Sequence, residues 1–205
     1  MYAVIDKFRQ SIIGAIDPSY VTEYEWLLQN IGQATSPAYQ QRYKNQWAMN
    51  RARLSNSFYA TYFGLLQQKT AQPLSTLCQT LYQSSARSNG TQSLQFSFAT
   101  KLLHTLNPRL PIYDSRVARF FLFDEPQTTA PLQQRISTLI DFHNFLVQEY
   151  ARVLSLDLLA QAIADFRQRF TPRQHTDEKI IDWLIWGLVV CADKGMLLNG
   201  QIAYG

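Results

Sequence analysis

Residues 97–121 read SFATKLLHTLNPRLPIYDSRVARFF, and this stretch decides how the chain is read. Placing Leu94 at 0° on a wheel of about 100° per residue puts Phe98, Leu102, Leu106, Ala99 and Leu103 on one arc, from about 40° to 180°. That arc is the buried face of a helix over about 92–106. Lys101 falls at about 340°, at the edge of the apolar arc, with Ser97 and His104 as polar neighbours at about 300° and 280°. Asn107-Pro108 ends the helix. The segment Leu110-Pro111-Ile112-Tyr113 is extended, because a residue before proline is pushed out of the α region. Asp114 then stands before SRVARFF as an N-cap. An amine at a helix boundary and a carboxylate opening the next helix are thus separated by a short, proline-stiffened turn. Two readings stand side by side: a solvated lysine and a simple cap, or a partly desolvated amine and an acid brought together for chemistry.

The same periodicity, apolar residues every three or four positions, recurs over about 2–14, 19–31, 38–50, 55–69, 73–84, 114–122, 131–152, 154–170 and 176–193. Prolines punctuate these runs at Asp17-Pro18, Ser36-Pro37, Gln72-Pro73, Glu125-Pro126, Ala130-Pro131 and Thr171-Pro172, where they open or close helices. No segment alternates as a strand does. The expected class is all-α, about ten helices forming a two-lobed domain that spans residues 1–205, with a seam near 123–131, FDEPQTTAP.

At 205 residues, 46% apolar and 13% aromatic, the chain can bury a full core without staples. Its two cysteines, Cys78 and Cys191, form no CxxC pair, and three histidines offer no metal-like spacing, so neither a disulfide framework, a metal site nor a cofactor is expected. The N-terminal run MYAVIDKFRQSIIGAID reads as an amphipathic helix rather than a signal peptide. The apolar run Ile180 to Ala192 is too short to span a bilayer and contains Asp182. A cytoplasmic protein without a membrane partner is expected.

Charge is unevenly placed. Between Glu25 and Asp114 there is no acidic residue, while Arg42, Lys44, Arg51, Arg53, Lys69, Arg87, Lys101 and Arg109 all fall there. Such a segment favours a polyanionic partner, since phosphates bind where no carboxylates compete. QRYKNQWAMNRARLSNS, with Arg42, Lys44, Arg51 and Arg53 interleaved with aromatics, is a candidate DNA-backbone contact; a solvated helix face with Trp47 in the core is the other reading. In the last helix, IIDWLIWGLVVC, apolar residues surround Asp182 on nearly every side, so that carboxylate needs a partner, an arginine being the plainer expectation, or a cavity.

The run SFATKLLHTLNPRLPIYDSRV resembles the bacterial "8-oxoguanine DNA glycosylase fold" proteins, a divergent branch of the helix-hairpin-helix DNA glycosylase superfamily. The resemblance is strongest over about 92–121 and weaker over 47–63 and 178–187. It implies a lysine nucleophile at Lys101 and an essential acid at Asp114, with Pro111-Ile112-Tyr113-Asp114 in place of the superfamily's PVD segment. The hairpin turn that precedes the lysine helix has only Arg87-Ser88-Asn89-Gly90 as a counterpart, with Gly90 for close phosphate approach, and the four-cysteine cluster is absent. The implied activity is excision of a damaged or modified base from DNA, with Trp47, Phe98, Tyr113, Asp182, Trp183 and Trp186 as candidate walls of a pocket for an extruded base. The rival expectation is a non-catalytic nucleic-acid- or protein-binding module of the same fold, as part of a bacterial defence system.

Overall fold

The computed structural model describes residues 1–70, 72–85, 91–171 and 175–197. It is all-helical, with no strand among the described residues. Among the described residues ten α-helices follow one another: α1 Tyr2–Gly14, α2 Pro18–Gln29, α3 Pro37–Gln46, α4 Asn56–Gln68, α5 Leu74–Ser84, α6 Phe96–Leu106, α7 Ser115–Phe120, α8 Leu132–Ser155, α9 Ala160–Arg169 and α10 Asp177–Asp193.

Local chemistry explains most of the boundaries. Asp17, Ser36, Ser55, Asp114 and Thr176 each accept a backbone N–H from the first turn of the helix they open, and Pro18 and Pro37 occupy first helical positions, where a missing N–H costs nothing. Two boundaries differ from the periodicity. The run expected over 38–50 breaks at Trp47, because Ala48 takes a left-handed conformation (φ 52°), and the chain continues as a short 3₁₀ turn over Met49–Ala52. The lysine helix starts at Phe96 rather than near 92.

The helices pack in two groups. In one, α10 is the axis, buried along nearly its whole length, with α1, α7, α8 and α9 laid against it. Gly187 permits the close approach of α1: a Cβ there would meet Ile12 Cγ2 at 2.8 Å. In the other group α6 packs on α4 and α5, and α2 packs on α3; α5 also touches α8, tying the two together. The segment 121–131 joins α7 to α8. The lysine helix thus belongs to one group, and the helix opened by Asp114 belongs to the other. Among the described residues no helix is long and apolar enough to cross a membrane.

Candidate active site

The turn between Lys101 and Asp114 has little regular structure, so its backbone polar groups need partners from elsewhere. Four side chains supply them. His104 Nδ1 donates to the Leu110 carbonyl (2.6 Å) and His143 Nε2, from α8, to that of Pro111 (3.0 Å). The Thr176 hydroxyl donates to the Pro108 carbonyl (2.8 Å), while Thr100 Oγ1 accepts the Tyr113 N–H (3.1 Å). Helices α6, α8 and α10 therefore hold one extended segment, which ends at Asp114. The Asp114 carboxylate caps α7, its Oδ1 accepting the amides of Arg116 and Val117, both at 2.9 Å.

His104 is 1% exposed. With Nδ1–H given to a carbonyl, its Nε2 accepts from the Tyr24 hydroxyl at 2.7 Å, which fixes a neutral ring. Burial, and secondarily the nearby Lys179 cation, push the His104 imidazole down to about 3. An unfolded histidine binds its proton below about 6.5, so between pH 6.5 and 3 the unfolded state holds the extra proton and folding stability falls as pH falls. Wild-type protein is expected to lose about 2 kcal/mol from this group alone between pH 7 and pH 5, and His104→Gln should remove that part of the slope. Urea unfolding at both pH values checks it; an unchanged slope in the variant would exclude His104 as its source.

A cavity of about 870 Å³ lies where the two helix groups meet, a size that suits a small-molecule or nucleotide ligand. Lys101 and Asp114 both line it, and so do Trp47, Phe98, Tyr113, Asp182, Trp183, Trp186 and Arg51. Arg42, Lys44 and Arg53 do not. Arg42 is engaged elsewhere: its Nε and Nη2 both reach the Glu23 carboxylate at 2.6 Å, and its guanidinium lies 3.5 Å from the centre of the Trp26 ring. Lys44 lies over Tyr59 at 5.0 Å, and Arg53 is exposed with a left-handed backbone (φ 52°). Arg87 and Gly90 lie outside the described residues.

Lys101 keeps some surface open to the cavity. Its Nζ donates to Ser97 Oγ at 3.0 Å and stands 5.2 Å from the Phe98 ring centre and 5.9 Å from that of Trp47. Among the described residues it makes no ion pair. Burial lowers its pKa to about 8, against the pull of Asp114 and Asp182 and with help from Lys179.

The partner of Asp182 is a correction. It is no arginine but Lys179, one turn earlier on α10, with Nζ donating to Oδ2 at 2.7 Å. Lys179 is itself 2% exposed and sits among three rings, 5.1 Å from Tyr24, 5.3 Å from Trp47 and 4.8 Å from Trp183. Burial raises the Asp182 pKa despite this cation, and its Oδ1 has no hydrogen-bond partner among the described residues. Arg116 also reaches the cavity; its guanidinium lies 5.1 Å from the Trp186 ring, which stacks on Tyr20 at 6.1 Å. Trp183 stacks on Phe166 at 5.2 Å and is 2% exposed, so it forms the floor rather than an open platform. Trp186 is the half-buried indole of the site.

Lys179, Tyr20, Arg116 and the two histidines were not singled out from sequence. Lys179 had a signal: a cation three residues before Asp182, one turn away on the same helix face. The histidines had none, because their partners are backbone carbonyls of a remote turn. Among the described residues no group of three or more His, Cys, Asp or Glu side chains is arranged to hold a metal ion. Chemically, the cavity offers a weakly basic amine, a carboxylate at a helix mouth, a buried ion pair and aromatic walls. Compared with protein-family models, curated proteins and solved structures, the chain matches none of them.

Proposed function

We propose that the protein binds DNA and excises a damaged or modified base, with Lys101 as nucleophile and Asp114 as the acid that assists it. The observation that carries this reading is Lys101 itself: an amine brought to about 8, with no ion-pair partner among the described residues, in a cavity that Asp114 also lines. At pH 7.4 about a fifth of such an amine is neutral, against about one part in a thousand for an ordinary lysine. A neutral amine can attack C1′ of an extruded nucleotide; the C1′–N bond breaks and its electron pair leaves with the base. The Asp114 carboxylate offsets the positive charge that develops on the sugar. One of the two amine protons passes to the departing base and the other to O4′ as the sugar ring opens, leaving an imine on Lys101. Arg51 and Arg116, both lining the cavity, are placed to meet phosphates flanking the extruded nucleotide.

Borohydride reduction of that imine would leave a stable protein–DNA adduct. The test is a trapping survey with single- and double-stranded DNA carrying oxidised, alkylated and deaminated bases. A Lys101-linked adduct on at least one substrate, absent in Lys101→Gln, is the expected result. Absence of both excision and trapping across the panel, with DNA affinity retained, would make the protein a binding module instead.

A further inference from the structure

Three carboxylates line the cavity with Lys101, those of Asp114, Glu125 and Asp182, and among the described residues none forms an ion pair with it. Asp114 Oδ1 is taken by the amides of Arg116 and Val117, and Asp182 Oδ2 is taken by Lys179. A lysine in a buried site would ordinarily recruit the nearest carboxylate and stay protonated, since a buried charge needs a partner. Lys101 instead bonds to the neutral hydroxyl of Ser97.

We propose that Lys179 is a positioning residue that sequesters Asp182, so that the Lys101 amine beside it is left without a carboxylate partner and remains able to act as a nucleophile. The proposal rests on the reading of Lys101 as the nucleophile, and deepens it by naming what keeps that amine available. The geometry of α10 supports it. The three rings of Tyr24, Trp47 and Trp183 surround the Lys179 ammonium and favour it through their π faces, so its position does not depend on the ion pair alone. Lys179 and Lys101 also stand against the same indole, at 5.3 and 5.9 Å from the Trp47 ring centre, which places the two nitrogens at most about 11 Å apart. The remaining titratable groups around α6 do not compete for this role. His104 is held neutral by Tyr24 and Leu110. Helices α4 and α5 carry no charged side chain, only Tyr59, Tyr62, Cys78 and Tyr82, and α3 approaches with the hydroxyl of Tyr43 on the Lys101 carbonyl (3.4 Å). Helix α7 contributes Arg116, directed at Trp186, and is capped by Asp114, one oxygen of which takes both capping amides; Arg51, Arg135 and Glu125 also line the cavity, Glu125 near the Tyr113 hydroxyl.

The test reads Lys101 directly and needs no DNA, so its failure is separable from failure of the excision reading. The full-length protein is treated with limiting acetic anhydride from pH 6 to pH 11, and acetylation of Lys101 is followed by mass spectrometry against the five other lysines. Wild-type Lys101 is expected to titrate near 8. In Lys179→Gln, which can still hydrogen-bond to Asp182 but carries no charge, the midpoint should rise by about one pH unit, the size of a unit charge acting across about 11 Å at an effective dielectric of about 20. Lys179→Arg should leave it near wild type. Asp182→Asn should move it the other way by a similar amount, because the Lys179 charge is then uncompensated. The double variant should return it to within about half a unit of wild type. The Asp182→Asn arm stands even where Lys179→Gln does not fold. Midpoints that do not move in either single variant, or that move in the same direction in both, overturn the proposal, as does a wild-type Lys101 that titrates with the surface lysines.

Discussion

Asp114→Asn is expected to reduce single-turnover excision by about 10²–10⁴-fold, the range typical for loss of a positioned catalytic acid or base, while melting temperature and DNA affinity stay close to wild type. The expectation follows from how the carboxylate is used. Its Oδ1 accepts both capping amides, and an asparagine side-chain oxygen can accept the same two; asparagine caps helices about as well as aspartate. The substitution therefore removes charge and leaves the cap. Asp114→Ala removes both, and should add a stability loss of about 1 kcal/mol to the same kinetic defect. The comparison separates chemistry from architecture: if Asp114→Asn turns over at the wild-type rate on a substrate that wild type excises, Asp114 is a cap and nothing more, and the acid must be sought elsewhere in the cavity.

The second large effect concerns stability. Truncating either member of the buried pair, as in Lys179→Ala or Asp182→Ala, should cost about 3–5 kcal/mol, a large share of the 5–15 kcal/mol that holds a typical domain together. Lys179 and Asp182 are 2% and 6% exposed, so the surviving charge would be left largely desolvated. Replacing both, as Lys179→Met with Asp182→Leu, should be far less costly than the sum of the single changes, since no uncompensated charge remains. The pH dependence has a definite sign. Burial already holds the Asp182 pKa up in the folded protein, and removing Lys179 removes the cation that opposes this. In Lys179→Ala the folded state therefore takes up a proton at higher pH than the unfolded chain does. Its deficit relative to wild type should shrink as pH falls from 7 toward 4. Denaturant unfolding of the two proteins at matched pH measures this; a deficit that grows on acidification would place the buried charge on another group.

Several features follow from sequence because their causes are local. Helix periodicity, the N-cap at Asp114 and the prolines that open α2 and α3 act over one or two turns, so the ten helices and their order are legible without a fold. The large aromatics and the acid within the apolar run of α10 are legible as well: Trp47, Phe98, Tyr113, Asp182, Trp183 and Trp186, marked as walls of one pocket, do line one cavity together with Lys101 and Asp114.

Tertiary structure decided what depends on partners distant in the chain. The helical wheel puts His104 beside Ser97 on the polar side of α6, yet it is buried, because Tyr24 arrives from a helix 80 residues away to satisfy its second nitrogen. The absence of acids between Glu25 and Asp114 marks Arg42 as a phosphate ligand, yet Glu23 folds back from α2 and claims it; charge along a chain carries no information about which charges meet. The state of Lys101 is the fullest case. Its place at the edge of an apolar arc is a property of α6 alone, but its lowered proton affinity comes from burial among residues of other elements, Trp47 among them, and its nearest polar partner is Ser97 rather than a carboxylate. A single helix determines where an amine points; only packing determines whether it is dry, and which neighbours are left to hold its proton.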